Sequence, residues 1–268
     1  MFYKKIVYTA GLFVILSFLI IKNKRIKSNK NEKLVGISFG PTGGFFSYQM
    51  GIAKYIQDNF KLNDLVFSGI SGGCQSSYAL TLNIPLQCVF DDWVILWIND
   101  LNSRNYYFPS FYVFDIAKVY LIKFNSKHNL NLSNLNDKMY IGITKIFPYP
   151  QSITICRWNN FEDLYDCLKA SQFIPFIFGY PFCYFRNKMC TDGFFTNKKY
   201  EPLVGRWYHI NIYDFKKKKT SKYKSLFDGI INLNKLTNSE YHISQFKCGY
   251  TDAKEKHNLF LINGLIEK

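Results

Sequence analysis

No two of the chain's seven cysteines stand in a Cys-x-x-Cys pair, and their number is odd. That excludes a disulfide framework and a thiolate zinc site, and points to reduced thiols in a domain facing the cytosol. Histidine is also scarce. The four present, His128, His209, His242 and His257, sit in no local signature of a catalytic triad. No internal repeat period is visible. Acidic residues are few, 19 against 34 basic ones, and the formal charge of +15 favours an anionic partner, membrane surface or nucleic acid. The basic residues are dispersed and form no recognition motif, so nothing beyond charge supports nucleic acid. What the chain has in quantity is apolar and aromatic: 48% hydrophobic, with 26 Phe and 20 Tyr among 268 residues. Such a chain is globular and long enough for one good-sized core.

The N-terminus reads as a separate unit. IVYTAGLFVILSFLII, Ile6 to Ile21, is uncharged, follows Lys4 and Lys5, and ends at KNKRIKSNK. At ~1.5 Å per residue it covers ~24 Å, and Phe2, Tyr3 and snorkelling lysines extend that toward the ~30 Å hydrocarbon core. Its Leu-Ile-Ile-Lys ending makes a poor signal-peptidase site. Lys22, Lys24, Arg25, Lys27, Lys30 and Lys33 outnumber the basic residues on the other flank, which places the remainder in the cytoplasm. The expected organisation is a single-pass membrane anchor at 1–22, a basic linker at 23–32 and one catalytic domain at 33–268.

From Lys33 onward, apolar runs of strand length alternate with helical periodicity. LVGISF, Leu34 to Phe39, is predicted as a buried strand. GPTGG interrupts it. FFSYQMGIAKYIQDNF then sets Phe46, Met50, Ala53 and Ile56 at helical spacing. Asn63 and Asp64 mark a turn. LVFSG reads as a second strand and GGCQSSYALTL as a second helix. This opening implies an α/β domain with a mostly parallel sheet covered by helices.

The junction of that second strand and helix is Gly69-Ile70-Ser71-Gly72-Gly73, which fits G-x-S-x-G. In a nucleophile elbow the glycines permit a strained turn, and the serine is lifted above the strand end beside a helix N-terminus. Backbone N–H groups there face negative charge. A purely structural turn is the other reading. Downstream, KMCTDGFFTN places Asp192-Gly193 after a short strand-like stretch. A carboxylate there can accept the serine proton without a histidine, though Asp-Gly is equally a common turn. Two further features read plainly. Lys216 to Lys219, with Lys222 and Lys224, form a solvated loop, and Asp91-Asp92 before Trp93 and Trp97 mark an acidic helix start.

In chain order, SFGPTGGFFSYQMGIAKYI, GISGG, FIPFIFG, TDGFFTN, WYHINIYDF and FKCGYTDA resemble the patatin-like phospholipase family, closest to its triglyceride-lipase branch. The resemblance spans roughly Leu34 to Ala253. It implies a three-layer patatin-like fold and a Ser71/Asp192 dyad. It also implies an oxyanion hole in the upstream loop, at Gly40, Gly43 and Gly44, and a strand from WYHINIYDF. Gly69, Gly72 and Gly73 belong to the elbow and Gly193 to the Asp-Gly motif. The implied activity is hydrolysis of membrane glycerolipid esters through an acyl-enzyme, with no metal or cofactor. Two positions depart from the family pattern. Pro41 has no N–H to donate, and Phe194 stands where glycine or alanine is usual. Two other functions stay open. One is a weak or inactive relative serving as a lipid-binding scaffold. The other is a Ser-His-Asp esterase with His242 or His257 as base.

If the anchor reading holds, removing residues 1–30 yields a folded protein in the soluble fraction. Aggregation of the truncated chain, with the full chain monodisperse in detergent, would place Ile6 to Ile21 in the core instead.

Overall fold

The structure, a computed structural model, describes residues 33–196, 205–216 and 232–268. The opening follows the sequence pattern: β1 (Leu34–Phe39), α1 (Phe46–Asn59), β2 (Val66–Ile70) and α2 (Gly73–Leu82). Asn83 closes α2 in the left-handed region, a role its short polar side chain tolerates. Then come α3 (Leu86–Val89), a π-helical turn (Phe90–Ile95), α4 (Leu96–Ser103) and α5 (Val113–Lys127). The remainder is β3 (Met139–Lys145), β4 (Gln151–Ile155), α6 (Phe161–Gln172), β5 (Cys183–Phe185), β6 (Lys188–Asp192), β7 (Arg206–Ile210), α7 (Ile212–Phe215), α8 (Ser239–Glu255) and α9 (His257–Ile262).

Among the described residues the strands form one seven-stranded sheet flanked by helices. Its centre, β7-β1-β2-β3, is parallel. β4, β5 and β6 join antiparallel. The register around β3 decides the site. Ile143 pairs with both Ile153 of β4 and Asp192 of β6, so those strands take opposite edges of β3. Ile141 pairs with both Ile155 of β4 and Gly69 of β2. β2 and β6 therefore share one edge of β3 and meet it end to end. Ile70 sits opposite Gly142 and Asp192 opposite Ile143, adjacent residues of one strand.

The expected stripe of α1 is buried: Phe46, Met50, Ala53 and Ile56. So are Ser47, Tyr48, Gln49, Gly51 and Ile52, because α8 covers the face of α1 that would otherwise meet water. The two helices approach backbone to backbone. A β-carbon on Gly51 would lie 2.0 Å from the Phe246 carbonyl oxygen, and one on Gly249 would lie 1.9 Å from that of Tyr48. The Tyr48 hydroxyl donates to Asp252 at 2.7 Å beside this crossing. FKCGYTDA is thus the segment of α8 that locks onto α1.

Two expectations need correction. WYHINIYDF is strand only to Ile210; Asn211 then accepts from the Tyr213 N–H and starts the short helix α7. Asp91 and Asp92 lie within the helical stretch, after Pro85 has begun it, and not at its start. Asp92 accepts from Lys127 at 2.7 Å, so its charge serves an ion pair between helices. No helix among the described residues is long and apolar enough to cross a membrane. The anchor at 1–22, the linker at 23–32 and the basic run Lys217 to Lys224 lie outside the described residues.

Gly249→Ala forces a methyl into the Tyr48 backbone, and overpacking of this kind costs about 1–3 kcal/mol. The expected result is a melting temperature several degrees lower. Gly40→Ala, whose β-carbon meets nothing nearer than 3.6 Å, serves as the tolerant control. Equal melting of the two variants would contradict the close helix crossing.

Candidate active site

β2 ends at Ile70, and the chain reverses into α2 across Ser71 and Gly72. Ser71 takes φ +56°, a left-handed conformation that is costly for a residue with a β-carbon. The turn leaves no room for bulk. A β-carbon on Gly72 would fall 2.1 Å from Thr42 Oγ1, and one on Gly73 would fall 2.3 Å from the Phe39 carbonyl oxygen. Gly69, one residue inside the strand end, is crossed by the α2 backbone at Cys74, 2.7 Å from where its β-carbon would be. The elbow and the loop after β1 touch because β1 and β2 run parallel and in register. Ligand sites in such sheets form at this carboxyl end of the strands.

Asp192 is the last residue of β6, at the head of the gap where β6 faces the end of β2. Ser71 Oγ donates to Asp192 Oδ2 at 2.6 Å. The Phe194 N–H donates to Oδ1 at 2.8 Å, a bond that does not depend on the side chain at 194. Gly193 lets this turn lie on β3, where a β-carbon would sit 2.2 Å from the Gly142 carbonyl oxygen. Ser71 is 5% exposed and Asp192 2%. Burial pushes the Asp192 carboxyl up to about 7; the bonds from Ser71 and Phe194 oppose the shift without cancelling it. Among the described residues no cation forms a salt bridge with it.

The end of α6 ties the two groups together. Ser171 Oγ accepts from the Ser71 N–H at 3.1 Å and donates to the Gly142 carbonyl at 2.6 Å. Two residues on, the Phe173 carbonyl accepts from the Asp192 N–H and from Thr191 Oγ1, each at 2.9 Å. One three-residue segment thus fixes the backbone of both dyad members. Cys74 Sγ also lies 3.2 Å from Ser171 Oγ, and burial pushes this thiol far above its usual range, so it is no rival nucleophile.

Ser71 opens onto a narrow cavity of about 60 Å³. Its walls are mainly apolar, with Phe46, Trp93, Trp97, Phe114 and Phe178 prominent; Gln75 and Lys169 are among the few polar members. Of the loop glycines expected as oxyanion donors, Gly43 lines this cavity, together with Gly72 of the elbow. Gly43 has φ +55°, and neither its N–H nor that of Gly72 is bonded among the described residues. Gly40 does not serve: its N–H donates to the Ile210 carbonyl at 3.2 Å, extending the β1–β7 ladder. Gly44 is pressed against the backbone of Asn232, away from the cavity lining.

The hydrogen bonds of the dyad involve no histidine. His242 is buried against Phe46, with Nδ1 2.8 Å from Ser47 Oγ, and burial pushes it down to about 4. His257 bridges the Tyr55 hydroxyl and Glu267, about 14 Å along α1 from Phe46. His128 packs on Phe124, and His209 lies on β7 opposite Ser38.

Sequence reasoning missed Ser171, Phe173 and the roles of Trp93 and Trp97. A buried serine a hundred positions from its partner carries no local signal, and the tryptophans enter the sequence reading only as neighbours of the acidic pair Asp91-Asp92. Lys216 was expected in a solvated loop, yet its Nζ sits 3.1 Å from the Phe45 ring centroid. No protein-family model matches the chain, and no curated protein matches it significantly.

The raised Asp192 pKa has a stability consequence. A carboxyl whose folded pKa lies above its unfolded value stabilises the fold at acid pH and loses that contribution as pH rises through about 7. Asp192→Asn stays neutral. Its melting temperature should therefore exceed that of wild type by a margin that widens from pH 6 to pH 8. A margin that is flat across this range would contradict a buried, titrating carboxyl.

Proposed function

We propose that the chain is a lipid acyl hydrolase of patatin-like, three-layer design, cleaving membrane glycerolipid esters with Ser71 as nucleophile and Asp192 as its base. The carrying observation is the 2.6 Å hydrogen bond from Ser71 Oγ to Asp192 Oδ2 at a strained strand-to-helix elbow. The apolar cavity over Ser71 supports an acyl substrate, since a methylene chain gains about 0.8 kcal/mol for each carbon it removes from water.

In this reading Asp192 takes the Ser71 proton as Oγ attacks the ester carbonyl. The oxyanion lies against the N–H groups of Gly43 and Gly72, with the α2 N-terminus adding its positive end. Asp192 then passes the proton to the leaving alcohol. Water, deprotonated by the same carboxylate, releases the fatty acid and restores Ser71. The uncharged run at 6–21 would hold the domain at its substrate, on the cytoplasmic side. The lipid-binding scaffold remains the second reading, and one observation favours it: Pro41 and Gly40 cannot donate, which leaves the loop with fewer donors than the family pattern implies.

A fluorophosphonate probe separates the readings. Wild type should gain a phosphonyl adduct on Ser71 as the probe releases fluoride; Ser71→Ala should gain none, and Asp192→Asn should react at least a hundredfold more slowly. On a short-chain nitrophenyl ester, log(kcat/KM) should rise with unit slope at acid pH, bend at an apparent pKa near 7 and level off above it, because only ionised Asp192 accepts the proton. Folded His242→Ala and His257→Ala should keep most activity. No adduct and no turnover would sink the hydrolase and favour the scaffold; abolition by one folded histidine variant, with Asp192→Asn active, would favour the triad.

A further inference from the structure

Two loops beside the cavity carry aromatic side chains exposed at the surface. In the segment before α5, Tyr107 is 64% exposed, Tyr112 43% and Phe111 37%. They belong to a run of touching rings: Tyr106 stacks on Tyr112 at 4.0 Å, Tyr107 meets Phe108 at 4.6 Å, and Phe108 stacks on Phe111 at 5.1 Å. In the second loop Tyr180 is 74% exposed. The loops adjoin, since the Phe111 ring lies about 3.4 Å from where a β-carbon on Gly179 would be. Each leads straight into the cavity wall: Val113 and Phe114 follow the first, and Ile174 and Phe178 precede the second. Phe114 and Phe178 touch at 4.8 Å inside. The aromatic surface and the cavity over Ser71 are thus continuous.

We infer that this surface, Tyr107, Phe111, Tyr112 and Tyr180, docks the domain onto an anionic lipid bilayer, with the cavity mouth facing the lipid. Contiguous exposed apolar surface marks a contact site. Its chemistry selects the occupant. Tyrosine, a ring with a polar tip, suits the headgroup zone of a membrane. Lys169, in the cavity lining and 6.0 Å from the Phe114 ring, makes no salt bridge with the described residues and supplies positive charge there. The chain's net charge of +15 attracts an anionic surface and repels a second copy of itself. The uncharged run at 6–21 brings the domain to a bilayer in the first place. The inference extends the hydrolase reading by naming the surface that presents substrate, but its test does not need turnover.

The four native tryptophans, Trp93, Trp97, Trp158 and Trp207, are buried and give a common blue background, so the emission of an added tryptophan is read as the difference from wild type in the same vesicles. Full-length Tyr107→Trp, Tyr180→Trp and a control, Lys138→Trp, are reconstituted into vesicles of neutral phosphatidylcholine with about one third phosphatidylserine. Lys138 is exposed at the opposite end of β3. Expected are a blue-shifted emission at 107 and 180 and at least twofold quenching there by brominated lipid, with neither at 138. Equal, red and unquenched emission at all three positions would overturn the proposal. So would a blue shift at 107 that grows with protein density and is not quenched by brominated lipid, which would mark contact between copies. Replacing phosphatidylserine by phosphatidylcholine should weaken the quenching; unchanged quenching would remove the anionic requirement and refute that part. A chain that proves unable to hydrolyse esters still gives a clear result here.

Discussion

A buried carboxylate facing a serine hydroxyl, with no salt-bridged cation among the described residues, is the constraint on which the rest of the molecule depends. Asp192 keeps its proton up to about pH 7 because it is out of water, and the Ser71 bond and the Phe194 N–H are what moderate it. A site of this kind works only if both groups are held without slack, since either one turned aside leaves a buried polar atom unsatisfied. The sheet supplies the first part of that precision. β2 and β6 arrive at one edge of β3 from opposite directions, and their last residues pair with neighbours on the same strand.

The elbow supplies strain and the surroundings contain it. A serine at φ +56° costs on the order of 1–3 kcal/mol and persists only where its neighbours leave no alternative. Ser171 takes the Ser71 N–H, α2 begins at once, and Thr42 and Phe39 crowd the two glycines that follow. Behind this, α1 is packed along α8. Its N-terminal residue Phe46 is a wall of the cavity and its next residue, Ser47, is bonded to His242. The α1–α8 crossing at Gly51 and Gly249 is therefore a remote support of the site, through the placement of one helix end.

Phe194 and the Gly40-Pro41 loop have different weights in space. Phe194 is bulky, but what touches Asp192 is its backbone N–H, which any residue except proline offers. The loop is the more consequential of the two. Gly40 is absorbed into the sheet and Pro41 has no donor, so under the proposed mechanism the oxyanion rests on Gly43 and the elbow's own Gly72.

Periodicity and local chemistry determined the α/β opening, because strand and helix patterns within a few residues need no distant partner to be read. They also singled out Ser71 and Asp192, since glycine next to a polar residue at the end of an apolar run is itself a local feature. The resemblance joined the two as a pair. Tertiary structure alone decided the rest. That α1 is buried nearly all round depends on α8, some 190 positions later in the chain. That Gly40 bonds Ile210 while Gly43 lines the cavity depends on β7 pairing beside β1. Ser171 gains its role only because α6 ends where β2 turns. Hydrogen bonds and burial between residues far apart in sequence are set by the packing of whole elements, and no short window of sequence carries that information.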